Sequence, residues 1–287
     1  MTLDKQELLR LEEKAHELRS LCLKTTYNAG SGHIGGGLSV MDIFTVLYHK
    51  IMKVDPSNPH LEDRDRLIMS KGHTGIAQAS VLADLCYFDK EELKTFNLTG
   101  SRFGIHLDSN KVPGVDASTG SLGHGLSLSL GIALAARLQN KDHFTFCILG
   151  DGECNEGAVW EAAMAISHFK ATNVVTIVDR NKLMIDGPTE EVMALEPFAD
   201  KWRSFGFDVI EIDGHSIEEL HSAFIKAKQN TTKKPVLILA NTVKGAGVNY
   251  MENNHGWHYG AINDEKYAEG QASLDAYFAK RKAALAV

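Results

Sequence analysis

Between Leu8 and Cys22 the apolar positions Leu8, Leu11, Ala15, Leu18 and Cys22 recur at steps of three and four. That spacing puts them on one face of a helix. Asn28-Ala29-Gly30 supplies its stop signal. A second helix is expected over residues 39–52, ended by Asp55-Pro56. Further along, the pattern changes. Residues 144–149, 173–178, 208–212 and 235–240 are short runs rich in Val, Ile or Phe. They are mostly continuous rather than alternating, as in strands covered on both faces. Helical stretches lie between them at 159–169, 197–204 and 217–228, and a charged helix is expected over 273–284. This alternation predicts an α/β fold, a doubly wound parallel sheet with helices on both faces. Residues 122–138 come nearest to a membrane span, but His124, Ser127, Ser129, Arg137 and several glycines interrupt them. The segment reads instead as a buried helix whose small residues permit close packing.

Composition adds bounds. With 287 residues, 44% of them hydrophobic, the chain can bury a large core without staples. No linker, repeat or low-complexity stretch divides it, so residues 1–287 read as one domain with a helical N-terminal part. Thirty basic against 37 acidic residues give a net charge of −7, and no basic run occurs, which argues against nucleic-acid binding. Cys22, Cys86, Cys147 and Cys154 show no C-x-x-C spacing. They read as reduced thiols of a cytoplasmic protein. Residues 1–19 are charged and helical, with no apolar signal-peptide core.

Ligands of such sheets sit beyond the C-terminal ends of the strands. There the chain carries Gly150-Asp151-Gly152-Glu153-Cys154-Asn155-Glu156-Gly157 and, after the next run, Asp179-Arg180-Asn181-Lys182. A carboxylate at 151 and an amide oxygen at 181 can hold a hard cation such as Mg²⁺ or Ca²⁺. Gly150 and Gly152 let the backbone approach a phosphate, and a helix starting near Gly157 points free N–H groups at the same place. Together these describe a site for a metal-bound diphosphate. A lone G-D-G is a common strand-end turn; Asn181 thirty residues later in a D-x-N, with Asp186-Gly187 following, makes this one specific. Other local patterns lack their context. Gly30-Ser31-Gly32-His33-Ile34-Gly35 approaches the dinucleotide fingerprint, but a helix precedes it where a strand is required. His255-x-x-His258 is the nearest thing to a zinc pair among thirteen histidines, with no H-E-x-x-H and no cysteine pair to join it. Glu190-Glu191 reads as a solvated face.

The G-D-G and Asn181 pattern resembles the thiamine diphosphate motif of transketolases and their relatives. The resemblance extends to Ser31-Gly32-His33, Ser70-Lys71-Gly72-His73 and Gly114-Val115-Asp116. It continues through Thr119-Gly120-Ser121-Leu122-Gly123 with Gly125, Thr242-Val243-Lys244-Gly245 and Trp257-His258, and so covers about residues 8–260. It implies that Asp151, Asn181 and the Leu183 carbonyl hold the metal, Mg²⁺ first, with Ca²⁺ or Mn²⁺ as substitutes. It implies that Gly152 and Lys244 contact the diphosphate, and that Gly120, Ser121, Leu122, Glu153, His73 and His258 help to line the cofactor. It gives His33, His73, His106 and His258 a place around the reacting carbon, where imidazoles move protons near neutral pH. Glu156 matches the glutamate between the two active sites of the family's dimer. The chain departs from the family at Ile34 and Leu107, where proline is usual, and at His124, where glutamine is usual. Both His255 and His258 lie near the expected last histidine, and His258 is preferred.

As a transketolase-like enzyme of sugar metabolism, of the pentose phosphate kind, the protein would move a two-carbon ketol unit from a ketose or ketose phosphate to an aldose. The family's ring-protonating glutamate and its pyrimidine pocket belong to a second, C-terminal domain. No second doubly wound pattern follows here before Val287. The expectation is therefore a split enzyme, inactive alone, whose separate C-terminal subunit completes the site in a heterotetramer. A deoxyxylulose phosphate synthase-like or 2-oxo acid dehydrogenase-like component, or a non-catalytic cofactor-holding paralogue, are the alternatives.

Overall fold

The computed structural model describes residues 3–285. Helix α1 (Lys5–Ala29) starts at Asp4, whose carboxylate accepts the Glu7 N–H at 2.8 Å, and closes at Gly30 in the left-handed conformation. It buries Leu8, Leu11, Ala15, Leu18 and Cys22, the face expected from the spacing. Helices α2 (Ile34–Ser39) and α3 (Met41–Val46) follow, with a π turn over Leu47–Ile51. Helical structure therefore begins earlier than expected, through Gly35-Gly36-Gly37, which helix propensity disfavours. Packing overrides propensity here. A Cβ on Gly35 would stand 2.5 Å from the Trp257 carbonyl oxygen, and one on Gly36 would stand 2.9 Å from Thr74 Cγ2.

The remaining elements are β1 (Arg66–Met69), α4 (Gly75–Asp84), α5 (His124–Leu138), β2 (Thr145–Gly150), α6 (Gly157–His168), β3 (Val174–Arg180), α7 (Thr189–Val192), α8 (Phe198–Ser204), β4 (Asp208–Asp213), α9 (Ile217–Lys228), β5 (Val236–Asn241) and α10 (Asp264–Ala284). The five strands form one parallel sheet in the order β1-β2-β3-β5-β4. Four of them are the expected apolar runs. Strand β1 is an addition, because four residues between charged turns carry too little pattern to read. Phe146, Ile148, Val175, Ile177 and Ile238 face one core with α1 to α4 and α9. Cys147, Leu149, Val174, Val178, Leu237 and Leu239 face another with α5, α6 and α8. Both faces are covered, so the strands read as continuous apolar runs.

Two helices differ from expectation. Helix α5 is buried on one side only: Leu126, Ser129, Leu130 and Ala133 pack inward, while Leu128 and Leu138 are 42% and 85% exposed. One stripe is enough to cover the sheet, and the other side of the helix stays open. Helix α10 begins at Asp264, capped by Asn263, and buries only Gly270 and Leu274. Polar contacts to α1, led by Arg281 to Glu12 at 2.5 Å, hold it, so its first half shows no apolar period. Among the described residues no helix is long and apolar enough to cross a membrane.

At the C-terminal end of the sheet, Asp179 of β3 is fully buried. Its carboxylate accepts from the Lys71 ammonium, from the Thr242 hydroxyl and from Ser39 Oγ at 2.6 Å. Lys71 also donates to the Gly36 carbonyl at 3.0 Å. Burial alone would raise the Asp179 pKa, but the adjacent Lys71 lowers it, so the carboxylate stays charged. One ion pair thus ties the ends of β1, β3 and β5 to α2. Asp179→Ala leaves a buried ammonium unpaired and is expected to cost about 3–5 kcal/mol in denaturant unfolding. A loss under about 1 kcal/mol would mean that the pair does not hold these ends together.

Candidate functional site

Loops that leave β1, β2, β3 and β5 converge at this end of the sheet. The loop after β1 presents His73, and the turn before α2 presents His33. A pair of main-chain hydrogen bonds between Gly32 and Gly260, both 3.0 Å, brings the turn Asn254–Tyr259 beside them. His33, His73 and His258 therefore cluster, with ring centroids 4.9 Å, 5.4 Å and 5.1 Å apart. His258 Nδ1 lies 3.1 Å from Lys244 Nζ. His106 is exposed and lies beside Gly120, where a Cβ would stand 3.3 Å from its ring. His255 is exposed and stays outside the cluster.

Burial, then the charge fields of neighbouring imidazoles and lysines, pushes these histidines toward the neutral form. His33 falls to about 4, helped by His106 and Lys244. His73 falls to about 2, helped by Lys71 and the other histidines, and His258 to about 3, helped by Lys244. Lys244 itself drops to about 8, chiefly through burial. At neutral pH the cluster is three uncharged imidazoles able to give or take a hydrogen bond. His33 Nδ1 is buried without a partner.

Next to the histidines lie the ends of β2 and β3, which carry Asp151 and Asn181. Asp151 Oδ1 accepts the Gly152 N–H at 2.8 Å, and Oδ2 accepts the Lys182 N–H at 2.5 Å. Asn181 Oδ1 accepts the Leu183 N–H at 3.2 Å. Lys244 Nζ donates to the Leu183 carbonyl at 2.9 Å, a cation already resting on one of the expected metal-binding oxygens. Burial and the nearby Asp179 push the Asp151 carboxyl up, the state of a carboxylate short of positive charge. Among the described residues no three His, Cys, Asp or Glu side chains converge as metal ligands. The set that fits a cation is one carboxylate, one amide oxygen and one carbonyl. These are hard donors with room left for water and phosphate oxygens, as Mg²⁺ requires.

The 119–125 loop closes the other side. Thr119 Oγ1 donates to the Met69 carbonyl at 2.7 Å. Glu153 is buried and accepts from Ser70 Oγ at 2.5 Å, Gly123 N–H at 2.8 Å and Gly150 N–H at 2.9 Å. Its carboxylate is therefore committed to fastening three loops, although the resemblance expected it to line the cofactor. Gly120, Ser121 and Leu122 sit on the loop it holds, with Ser121 exposed. Glu156 is exposed at the start of α6, beside Gly123.

Some participants escaped the sequence reading. Arg180 is buried, and its guanidinium donates to Asp151 at 3.3 Å, to Thr189 Oγ1 at 2.9 Å and to Glu190 and Glu196 at 3.0 Å each. Glu190 is thus not just a solvated charge: it also accepts the Leu195 and Glu196 N–H groups at 3.2 Å and shapes the segment between β3 and α8. The Tyr259 hydroxyl bonds Ser31 Oγ at 2.6 Å, and its ring stands edge-on to His33 at 4.8 Å. The signal available for Asp179 and Arg180 was two charged residues ending an otherwise apolar strand.

A model of the family described as transketolase, thiamine diphosphate binding domain, matches residues 11–279. The chain is 42% identical over 259 residues to an apulose-4-phosphate transketolase subunit of Phocaeicola vulgatus, covering 90% of this chain and 92% of that one. It is 40% identical to the 6-deoxy-6-sulfo-D-fructose transketolase subunit SqwG of a Clostridium species, covering 94% and 98%. Human transketolase is 36% identical over 89% of this chain and 40% of its own length. The crystal structure of Campylobacter jejuni transketolase superposes with a TM-score of 0.84 at 30% identity, over 96% of this chain and 47% of that one. The chain thus spans nearly all of the subunit relatives and less than half of the single-chain transketolases.

The lowered histidine pKa values set a pH window. An unfolded histidine titrates near 6.5. Below that value the unfolded chain takes up protons that the folded cluster refuses, so stability falls as pH drops from about 6.5 toward about 4 for His33. His33→Asn is expected to lose less stability across that window than the unaltered protein in denaturant melts at stepped pH. Parallel profiles would show that His33 is freely protonated in the folded state.

Proposed function

The chain belongs to the transketolase family through its thiamine diphosphate-binding domain, and we propose that it is the diphosphate-holding subunit of a two-chain enzyme that transfers a two-carbon ketol unit from a ketose to an aldose. The observation that carries this reading is the cluster of three neutral imidazoles and Lys244 beside the strand ends bearing Asp151 and Asn181. Asp151, Asn181 and the Leu183 carbonyl hold Mg²⁺. Gly152 and Lys244 meet the diphosphate, and Gly120, Ser121 and Leu122 line the rest of the cofactor. Bound thiamine diphosphate supplies the electron sink for breaking and remaking a carbon–carbon bond. His33, His73, His106 and His258 bind the sugar hydroxyls, hold developing oxygen charge by hydrogen bonds, and move protons on and off those oxygens. In the neutral state each imidazole offers one N–H donor and one acceptor nitrogen to those oxygens.

A second subunit supplies the glutamate and the pyrimidine pocket. The names of the Phocaeicola and Clostridium relatives, each called a transketolase subunit and each matched over more than nine tenths of its length, support this. So do the open apolar positions Leu128, Leu138, Met164 and Phe169 on α5, α6 and the residue that follows it, which suit assembly, with a heterotetramer as the complete enzyme. Glu156, exposed at the start of α6, suits a place between two active sites. The two relatives' names both describe sugars with an anionic group, which supports a phosphorylated or sulfonated ketose as donor. Four unpaired thiols fit a reducing cytoplasm.

Mixed with Mg²⁺, thiamine diphosphate and a pyrimidine-binding partner chain, the protein should transfer ketol units, and without the partner it should not. Transfer by this chain alone would sink the two-chain reading. Asp151→Ala should abolish Mg²⁺-dependent cofactor binding measured by calorimetry, because the diphosphate loses its charged metal anchor. Unchanged binding would mean that the cation sits elsewhere.

A further inference from the structure

We infer that His215 is a positioning residue for Lys244, holding the diphosphate loop in place from outside the site. This inference rests on the proposed role of Lys244. His215 follows β4 in the turn before α9, away from the histidine cluster. Its Nδ1 lies 2.8 Å from the Asp42 carboxylate. Its Nε2 accepts the main-chain N–H of Val243 at 2.9 Å, one residue before Lys244.

The environment leaves the imidazole a single workable tautomer. Asp42 is fully buried, and two Arg19 nitrogens lie 3.0 Å and 2.5 Å from its oxygens. Arg281 approaches at 3.5 Å and also donates to the His215 carbonyl at 2.8 Å. Two guanidinium groups keep Asp42 a carboxylate, which can only accept. Nδ1 therefore carries the proton, and Nε2 offers its lone pair to Val243. The main-chain N–H of His215 donates to Asp213 at 2.8 Å, which orients the residue from its own side.

Besides the Thr242 N–H, which the Arg180 carbonyl accepts at 3.1 Å, and the Lys244 carbonyl, which accepts the Asn253 N–H at 3.0 Å, three contacts anchor the loop that His215 holds. Thr242 donates its hydroxyl to Asp179, Val243 its N–H to His215, and Gly245 its N–H to the Gly35 carbonyl at 2.9 Å. Lys244 stands among them, with its ammonium on the Leu183 carbonyl and beside His258. The Val243 anchor is the only side-chain contact of the three that joins the loop to α3 and α10. It connects the C-terminal helix, through Arg281 and Asp42, to the lysine at the cofactor end of the sheet.

Two variants separate the contacts. Asn at 215 can still donate to Asp42 but is too short to reach Val243. Gln can place its oxygen near Nε2 and accept from Val243. Titration of Mg²⁺ and thiamine diphosphate into the full-length protein should show affinity lowered about tenfold in His215→Asn, the loss of one hydrogen bond, and near the unaltered value in His215→Gln. In the assembled enzyme the cofactor KM should rise for His215→Asn while kcat at saturating cofactor stays unchanged. Equal affinity in the two variants, or the reverse order, overturns the inference. Lys244→Met is the control: if it leaves cofactor affinity unchanged, the reading of Lys244 has failed, and the inference with it. If it weakens binding while His215→Asn does not, the failure belongs to His215 alone.

Discussion

The buried contact between Lys71 and Asp179 is the constraint on which the rest of the structure turns. A charged pair in an apolar core survives only when its remaining hydrogen-bonding capacity is met. Here Ser39 and the Gly36 carbonyl, both of α2, and Thr242, which follows β5, meet it. The pair therefore acts as a register pin. It sets where the loop after β1 leaves the sheet, how close the glycine-rich start of α2 comes, and where the loop after β5 begins. His73, His33 and Lys244 lie within two to three residues of those fixed points, so their grouping follows from it.

Glu153 plays the matching part on the other side. Its two carboxylate oxygens gather Ser70, Gly123 and Gly150. Together the two buried carboxylates leave Asp151 between them, in a place where burial and Asp179 disfavour its charge. That balance is what a cation at the proposed metal site would relieve. The histidines experience the converse: lysines and other imidazoles around them disfavour protonation. Acidic and basic groups are thus both held away from their solution behaviour, and the proposed binding of a metal and a diphosphate suits both.

Much was readable along the chain. The period of Leu8 to Cys22 marked α1, and four apolar runs marked four of five strands. The strand-end position of Asp151 and Asn181 followed from the rule that parallel sheets bind ligands beyond their C-terminal edges. The histidines were found only because several matching loops occurred in family order; one histidine alone carries little information. Strand β1 was too short to show a pattern. The start of α2 was hidden because two of its three glycines, Gly35 and Gly36, are explained by Trp257 and Thr74, which lie far along the chain. Glu153 illustrates a different limit. The resemblance implied a cofactor contact for it, whereas its carboxylate accepts from the Ser70 hydroxyl and the Gly123 and Gly150 N–H groups.

By itself the sequence determined the alternation of strand and helix, the chemical types at each strand end, and membership of the resembling family. These are local or near-local properties, set by periodicity and by residues adjacent in the chain. The tertiary structure alone decided that Lys71 neutralises Asp179, that Arg180 reaches Asp151 and Glu190, and that His215 bridges Asp42 and Val243. It also decided that His258 rather than His255 joins His33 and His73. Each of these depends on which groups share a low-dielectric interior and which hydrogen-bond partners remain there, and that is settled only when distant segments pack.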